Sequence, residues 1–253
     1  MKKRFSVAAS ALLFFAAAAA NADTIGGEVA AGGWNHDPSG WVQYPTGSDK
    51  IDLDSDLNLD TRSELYLRAK IEHPVPVLPN IRLAFTQNRS SGDGSITKSF
   101  SFGGITFTGG ERVHTETQLD SYDATFYYEI VDTGLDFDLG LTARYIDGYV
   151  DIKSLTTGIR DKTEFTGVFP MLYGNVRVPI PTLGGLSVGA EGSYVTYDGS
   201  TLYDLQADVR YEFAMGLGLE AGYRSQKIKL DDVENTSTDV DIEGFFIGAV
   251  WDF

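Results

Sequence analysis

The sequence predicts an all-β fold: a closed, antiparallel, up-and-down barrel that crosses a membrane, with ten strands, or with eight or twelve. Two observations predict it. Apolar residues recur at every second position over short stretches, and the links between these stretches alternate between short and long. Strands of about ten residues, even in number and joined by short turns at one end and longer loops at the other, are typical of membrane-spanning barrels.

Four stretches carry the alternation most clearly. Between residues 203 and 213 every odd position is apolar or aromatic and every even position is polar or charged. The same pattern covers 63–72, 122–130 and 137–145, and no charge falls on the apolar face of any of them. Such alternation indicates strands whose two faces meet different surroundings. Weaker copies complete ten candidate strands, at 24–34, 81–89, 168–178, 186–197, 217–226 and 242–253.

The links between the candidate strands fall into two classes. The short links occupy 74–80, 131–135, 179–185 and 214–216. The longer, polar links occupy 35–62, 90–117, 147–163 and 227–240, with one short exception at 198–201. No further domain or linker is apparent, so the prediction is one hairpin meander.

Alternation alone does not decide which face points outward, because a soluble barrel would put its apolar face inside. The aromatic residues on the apolar face favour a bilayer, since they form two groups on either side of an aliphatic band. Near the long links these are Tyr122, Tyr145, Tyr194, Tyr203 and Tyr223; near the short links they are Tyr128, Phe137, Tyr211 and Phe213. The polar face then lines a lumen in which opposite charges neutralise one another, as in the sequence neighbours Glu64/Arg68, Asp208/Arg210 and Glu220/Arg224.

Residues 1–22 have the pattern of a secretory signal peptide: basic residues, a short apolar run, and Ala20-Asn21-Ala22 before the cleavage site. The barrel domain is therefore expected to span 23–253, after export from the cytoplasm. The net charge of −16 argues against binding to nucleic acid, which requires a basic surface. The chain has no cysteine, which excludes disulfides, thiolate metal sites and a cysteine nucleophile.

Two segments carry a resemblance to known proteins. The segment 73–81 has the sequence H-P-V-P-V-L-P-N-I, and the chain ends on alternating apolar residues up to Phe253. The first resembles the H-P-x-P-x-L-P-N turn of a proteobacterial family of outer-membrane β-barrels without an assigned activity. In the second, Gly248, Trp251 and Phe253 occupy positions like those of the C-terminal aromatic signal that the barrel assembly machinery recognises, while Phe246 departs from it. The resemblance implies a barrel fold and the outer membrane, and it transfers no functional residues.

Residues for catalysis are few. His73 precedes a proline at the end of a strand and is expected to fix the turn or to face the membrane interface. His36 and His114 fall in the two longest links, where an Asp–His pair could form a loop-borne hydrolase site. Carboxylates available to them are Asp120, Asp147, Asp151 and Asp198. No spacing fixes such a pair, so the sequence indicates no catalytic, cofactor-binding or metal-binding set.

The acidic run from Asp52 to Asp60 includes Asp54 and Asp56 at alternate positions. Acidic oxygens at such spacing bind Ca²⁺ when the backbone curls, but the glycine and terminal glutamate of that loop type are absent. The alternating Leu53, Leu57 and Leu59 instead favour a straight strand extension with a solvated face, and a weak divalent site is the alternative. The glycine-rich segment 92–112 is expected to be a flexible loop or a protruding hairpin.

A ten-stranded lumen is narrow, and the side chains predicted to point into it would form a paired plug more readily than a pore. These are Tyr66, Arg68, Lys70, Arg144, Tyr173, Arg177, Arg210 and Arg224. We therefore expect a non-enzymatic barrel with a role in envelope integrity or surface interaction. The expected partners are outer-membrane lipid, lipopolysaccharide and the assembly machinery, with no nucleic acid and no cofactor. A narrow ion or solute channel and a loop-borne hydrolase are the alternatives.

Overall fold

The computed structural model describes residues 25–75, 77–102, 104–233 and 235–253, so the predicted signal peptide lies outside the described residues. The strands are β1 Gly26–Gln43, β2 Ile51–Asp52, β3 Arg62–Glu72, β4 Asn80–Thr86, β5 Arg89–Ser95, β6 Phe100–Phe102, β7 Ile105–Phe107, β8 Arg112–Asp132, β9 Asp136–Ser154, β10 Arg160–Pro179, β11 Leu186–Tyr197, β12 Ser200–Glu212, β13 Leu217–Val233 and β14 Thr236–Asp252. No helix in the described part of the chain is long and apolar enough to cross a membrane.

Ten of these strands form a closed barrel. In the order β1, β3, β4, β8, β9, β10, β11, β12, β13 and β14, each pairs antiparallel with the next, and β14 pairs with β1 from Glu28–Asp252 to Gln43–Ser237. The pairing confirms the predicted strand number. It also supplies what a bilayer requires, because a closed sheet leaves no unpaired edge within lipid. The four remaining strands are short, and they lie at the end of the barrel away from the short turns.

The outer face of the barrel is apolar over its middle, as predicted. Leu141, Leu172 and Ile247 are each more than 60% exposed, which is the reverse of a soluble core. Aromatic residues stand on neighbouring strands at one level, as in the cross-strand pairs Tyr122–Tyr145 and Tyr194–Tyr203. We call this level the outer aromatic ring. Exposed aromatic residues near the short turns form the other ring: Tyr128, Tyr211, Phe213, Trp251 and Phe253.

The long links that the sequence predicts are mostly strand. β1 extends to Gln43, β8 begins at Arg112, β9 reaches Ser154 and β10 begins at Arg160. The lipid-facing periodicity does not continue into these extensions, because beyond the outer aromatic ring the outward face is polar and apolar residues such as Val113 and Ile152 point inward. The barrel wall therefore rises well above its apolar band, and we call this part the upper wall.

The upper wall is not equally tall all round. β11 and β12 meet in a tight hairpin at Asp198-Gly199, whereas β9 and β10 on one side and β13 and β14 on the other continue further. β10 pairs with β11 only from Leu172 onward. The wall is thus notched above this hairpin.

Candidate functional site: a charged lumen beneath an apolar cap

Inward-facing charges near the short-turn end form one buried network. Arg68 donates to Glu28 at 2.7 Å and to Glu220 at 2.7 Å. Arg210 binds the same two carboxylates, at 2.6 Å and 3.0 Å. The Tyr66 hydroxyl donates to Glu220 at 2.9 Å. Because all five residues are under 10% exposed, the charges neutralise one another across the lumen and leave few groups free to attract a passing ion.

A second network joins β3 and β4 to β10 and β11 across the lumen. Glu191 accepts hydrogen bonds from Arg82 and, at 2.9 Å, from the Tyr173 hydroxyl. The Lys70 ammonium lies 3.7 Å from the same carboxylate. The guanidinium of Arg82 also stands over the ring of Tyr173, with its central carbon 5.6 Å from the ring centroid. This network carries two cations for one carboxylate and sits beside the negatively charged groups of the turn end.

A third network closes the lumen higher up. Arg144 binds both carboxylate oxygens of Asp123, at 2.8 Å and 2.6 Å, and reaches Asp204 at 2.5 Å. Arg224 donates hydrogen bonds to both carboxylate oxygens of Asp204, at 2.8 Å and 2.6 Å. Such two-point contacts are the strongest ion pairs available to a guanidinium, and they fix it in one orientation. Side chains from four strands therefore meet in the middle of the barrel.

The predicted paired plug is confirmed, but its partners are not the sequence neighbours. All five arginines and the lysine that were expected to point inward are within ion-pair distance of a carboxylate; Arg177, for example, binds Asp208 at 2.9 Å. The pairings Glu64/Arg68, Asp208/Arg210 and Glu220/Arg224 are wrong. Residues two and four apart on a strand are separated by about 7 Å and about 13 Å, whereas the curved wall brings residues of distant strands into contact.

An apolar cap closes the lumen above the charged networks. It consists of inward-facing residues of the upper wall and of two parts of the chain that fold over them, 51–59 and 96–102 with 104–107. Its buried members are Trp34, Ile51, Leu53, Leu57, Leu59, Tyr66, Ile96, Phe100, Phe102, Phe107, Val113, Ile152, Val240, Ile242 and Phe246. The rings of Phe100 and Phe107 stack at 5.3 Å. The hairpin β6–β7 thus folds inward, where the sequence predicted a flexible loop or a protruding hairpin.

The turn end of the lumen opens into a cavity of about 410 Å³. It is rich in carboxylates and is floored by the first network. Its lining includes Glu72, Glu129, Asp138, Glu212, Asp252 and Arg177. Several of these groups are tied to neighbours: the Tyr127 hydroxyl donates to Glu72 at 2.8 Å and Asn80 to Glu129 at 2.7 Å. The cavity is a vestibule and does not continue through the ion pairs above it.

The acidic run does not form the straight strand that the sequence favours. Only Ile51–Asp52 is strand, and the chain then turns. The Asp52 carboxylate accepts the backbone N–H groups of Asp54 at 3.1 Å and Ser55 at 2.8 Å, and Asp56 accepts that of Asp52 at 3.1 Å. The turn places the three leucines in the cap, since each is under 10% exposed. Within the described ranges, no group of three or more His, Asp or Glu side chains is placed to hold a metal ion.

The three histidines have different environments. His73 is the turn-fixing residue predicted: its Nε2 lies 3.2 Å from the Pro79 carbonyl, and its Nδ1 accepts the N–H of Val75 at 3.2 Å. His36 is not in a loop, as the sequence suggested, but in β1. It is fully buried 4.7 Å from the ring of Trp34, and neither ring nitrogen has a hydrogen-bond partner among the described residues.

His114 lies in β8, on the outward face of the upper wall, and not in a loop. Its partners are Asp93 at 2.6 Å and Glu116 at 3.5 Å. The candidate carboxylates Asp120, Asp147, Asp151 and Asp198 are therefore not its partners. Two of them serve other residues, since Asp120 binds Arg89 at 2.7 Å and Asp151 binds Arg160. Sequence reasoning missed Asp93 because its contact depends on the β5–β8 register, in which it stands directly opposite His114.

No family model and no curated protein matches this sequence. Similar solved structures include the outer membrane protease OmpT from Escherichia coli, with a TM-score of 0.51 and 12% identity over 91% of this chain and 96% of that chain. Others are the translocator domain of the autotransporter NalP from Neisseria meningitidis (0.45, 13%, 90% and 87%) and the attachment invasion locus protein Ail of Yersinia pestis (0.38, 13%, 90% and 98%). These identities show the fold alone. The chain has the fold of an outer-membrane β-barrel.

Proposed function

We propose that the chain is a bacterial outer-membrane protein that does not conduct solutes and is not an enzyme, and that it acts in envelope integrity or surface interaction. We orient the barrel in the outer membrane with its short turns facing the periplasm and its upper wall facing the outside of the cell. One observation carries the proposal: the lumen is closed twice, by buried ion pairs and by an apolar cap. If the lumen is closed, the protein can interact with other molecules only through its outer wall and its surface outside the membrane.

The two alternatives have weaker support. A channel would use the periplasmic vestibule, but that cavity ends at the network around Arg210. A hydrolase would use the pair Asp93–His114, but both side chains are well exposed, at 55% and 38%, on the outward wall. Catalytic pairs gain strength from a site that excludes water, which this position does not provide.

The proposal is tested by removing the protein from the bacterium that makes it. We expect the uptake rate of a small hydrophilic solute to stay unchanged and the entry of a large apolar dye to rise. Restoring the wild-type chain should reverse the second effect. Slower uptake of the small solute in cells that lack the protein would indicate a channel and contradict the proposal.

A further inference from the structure

His36 is a buried titratable side chain without a polar partner. It is fully buried, and neither ring nitrogen has a hydrogen-bond partner among the described residues. Its ring lies 4.7 Å from that of Trp34, a buried member of the apolar cap. Its neighbours in β1, Asn35 and Asp37, are polar and exposed on the outward face, so His36 lies in the upper wall, beyond the lipid. A buried polar group that makes no hydrogen bond costs free energy, and its presence requires an explanation.

The charged groups around His36 do not compensate a positive charge on its ring. They are Asp37 beside it in β1, Arg62 opposite it and Glu64 opposite Trp34 in β3, and Arg224 on β13, whose guanidinium carbon lies 4.8 Å from the Trp34 ring centroid. The inward-facing residues of β14 beside it, Gly244, Ile242 and Phe246, carry no charge. Neither carboxylate makes a hydrogen bond to the ring. Burial and the cation of Arg224 lower the pKa of His36 to about 4, and Asp37 opposes the shift.

The closed cap therefore holds His36 in its neutral form. A histidine in water has a pKa of about 6.5. Because the pKa is lower when the cap is closed, the closed state binds fewer protons than an open state in which the ring meets water. Closure is then fully favoured above about pH 6.5 and is lost as the pH falls toward the closed-state pKa. With these two pKa values, the ratio of open to closed cap rises about 20-fold between pH 7 and pH 5.

Three further polar groups in the upper part of the lumen are buried without partners. They are the hydroxyls of Thr115 and Ser90 and the side-chain nitrogen of Asn88. Thr115 follows the cap residue Val113 in the inward row of β8, and Ser90 lies on β5, which pairs with β8. Water would satisfy these groups if the cap opened. The burial of apolar side chains favours the closed cap and the unmet polar groups oppose it, so one added charge can shift the balance.

The hairpin β6–β7 is the part of the cap that no backbone ladder ties to the barrel. In the described ranges its two strands pair only with each other, whereas β2 pairs with β1. Contacts of the hairpin segment with its surroundings are made by side chains, such as the hydrogen bond from Thr97 to Asp56 at 3.1 Å and the contact between the rings of Phe102 and Tyr44 at 5.9 Å. The hairpin can therefore leave the barrel mouth while the barrel ladder stays intact.

We infer that the apolar cap is a pH-sensitive closure: in acid, protonation of His36 drives the β6–β7 hairpin out of the barrel mouth and admits water to the upper lumen. The ion pairs of Asp204 with Arg144 and Arg224 lie beneath the cap and still block the lumen. Opening therefore exposes a chamber on the outer side of the barrel and does not create a path for solutes. The inference goes beyond the proposed function and leaves its exclusion of solutes unchanged.

A single cysteine beneath the cap tests the inference, because the chain has none of its own. Thr115 is fully buried and its hydroxyl has no partner to lose, so Thr115→Cys is a mild change. The full chain folded in detergent is treated with a water-soluble maleimide at pH 7 and at pH 5. Each labelling rate is divided by that of the exposed Asp49→Cys at the same pH, which removes the pH dependence of the thiol itself. We expect this ratio to rise about 20-fold from pH 7 to pH 5.

Two matched variants and one further measurement make the result specific. His36→Phe keeps an aromatic ring beside Trp34 but does not titrate, so the ratio should be the same at both pH values. His114→Phe removes the histidine of the outward face and should leave the rise intact. Hydrogen exchange, corrected for the intrinsic rate at each pH, should accelerate at pH 5 in 96–102 and 104–111 and not in β12. Heat-modifiable gel mobility verifies that each variant is folded at both pH values.

Four outcomes would overturn the inference. They are a labelling ratio that does not change with pH, an equal rise in His36→Phe, loss of the rise in His114→Phe, and equal acceleration of hydrogen exchange in β12. The last would show that acid loosens the whole barrel rather than the cap.

Discussion

At the residue scale, Asp204 joins the two arginines that close the lumen. Both guanidinium groups lie at 2.5–2.6 Å from its Oδ2. Removing one partner of a buried ion pair leaves an uncompensated charge, so Asp204→Ala should lower the free energy of unfolding by about 3–5 kcal/mol. Denaturant unfolding in lipid vesicles measures the change. The exposed Asp49→Ala is the control and should change stability by less than about 0.5 kcal/mol; equal effects would show that the network does not hold the lumen together.

Gly248 leaves room for Tyr66. A side-chain carbon at Gly248 would lie 2.1 Å from the Tyr66 hydroxyl oxygen, whereas one at Gly33 would meet nothing within 4 Å. We expect Gly248→Ala to displace the hydroxyl from Glu220 and to lower the free energy of unfolding by about 1–3 kcal/mol, the cost of an unmet buried hydrogen bond. Gly33→Ala should be close to neutral in the same unfolding measurement. Equal stability of the two variants would contradict a stabilising role for the hydrogen bond between Tyr66 and Glu220.

His114 stands beyond the outer aromatic ring, outside the membrane-spanning part of β8. Its hydrogen bond to Asp93 raises its pKa above the ordinary value, and partial burial opposes the shift. Because the folded pKa is the higher one, this pair contributes stability fully below about pH 6.5, and the contribution is lost as pH rises through the folded pKa. Asp93→Asn should lower the His114 pKa in an NMR titration, and Asp147→Asn should not. An unchanged pKa in Asp93→Asn would contradict the pairing.

At the scale of elements, the cap depends on the inward fold of β6–β7. Phe107 is 1% exposed and stacks on Phe100, so Phe107→Ala should remove about 3–5 kcal/mol of local packing. We expect protease to cleave the 96–111 segment faster while the barrel keeps its heat-modifiable mobility. The exposed Thr106→Ala is the control. Equal cleavage rates in both variants would mean that the hairpin does not depend on the cap.

The sequence correctly predicted the strand segments that cross the lipid. It did not predict that these strands continue above the membrane. Residues 203–213 alternate cleanly because one face meets lipid and the other a polar lumen, and this contrast is what periodicity detects. Above the outer ring the outward face of β8 and β9 is polar, and the cap residues Val113 and Ile152 point inward, so the lipid-facing pattern ends there and the extensions read as loops. The leucines of 53–59 gave a correct apolar signal, but it arose from a turn that buries them in the cap rather than from a strand.

At the scale of the whole molecule, strand number and the inward direction of the charges followed from the sequence, because both depend on local parity. Which charges meet did not, since Arg68 binds residues 40 and 152 positions away in the chain. The notch above the β11–β12 hairpin was hidden for a related reason. It exists because the β11–β12 hairpin ends early, and only the pairing register shows which residues of β10 that leaves uncovered.

The central claim is that the lumen of this barrel is blocked to solutes, and conductance in planar lipid bilayers tests it most directly. Heat-modifiable gel mobility first verifies that the purified full chain is folded; the chain is then added to the bilayer, and a general porin serves as the positive control. We predict a flat current with no discrete steps across the voltage range in which the porin conducts. Reproducible single-channel steps from the wild-type chain would contradict the account, because they would require an open path through the ion pairs of Asp204 and through the cap.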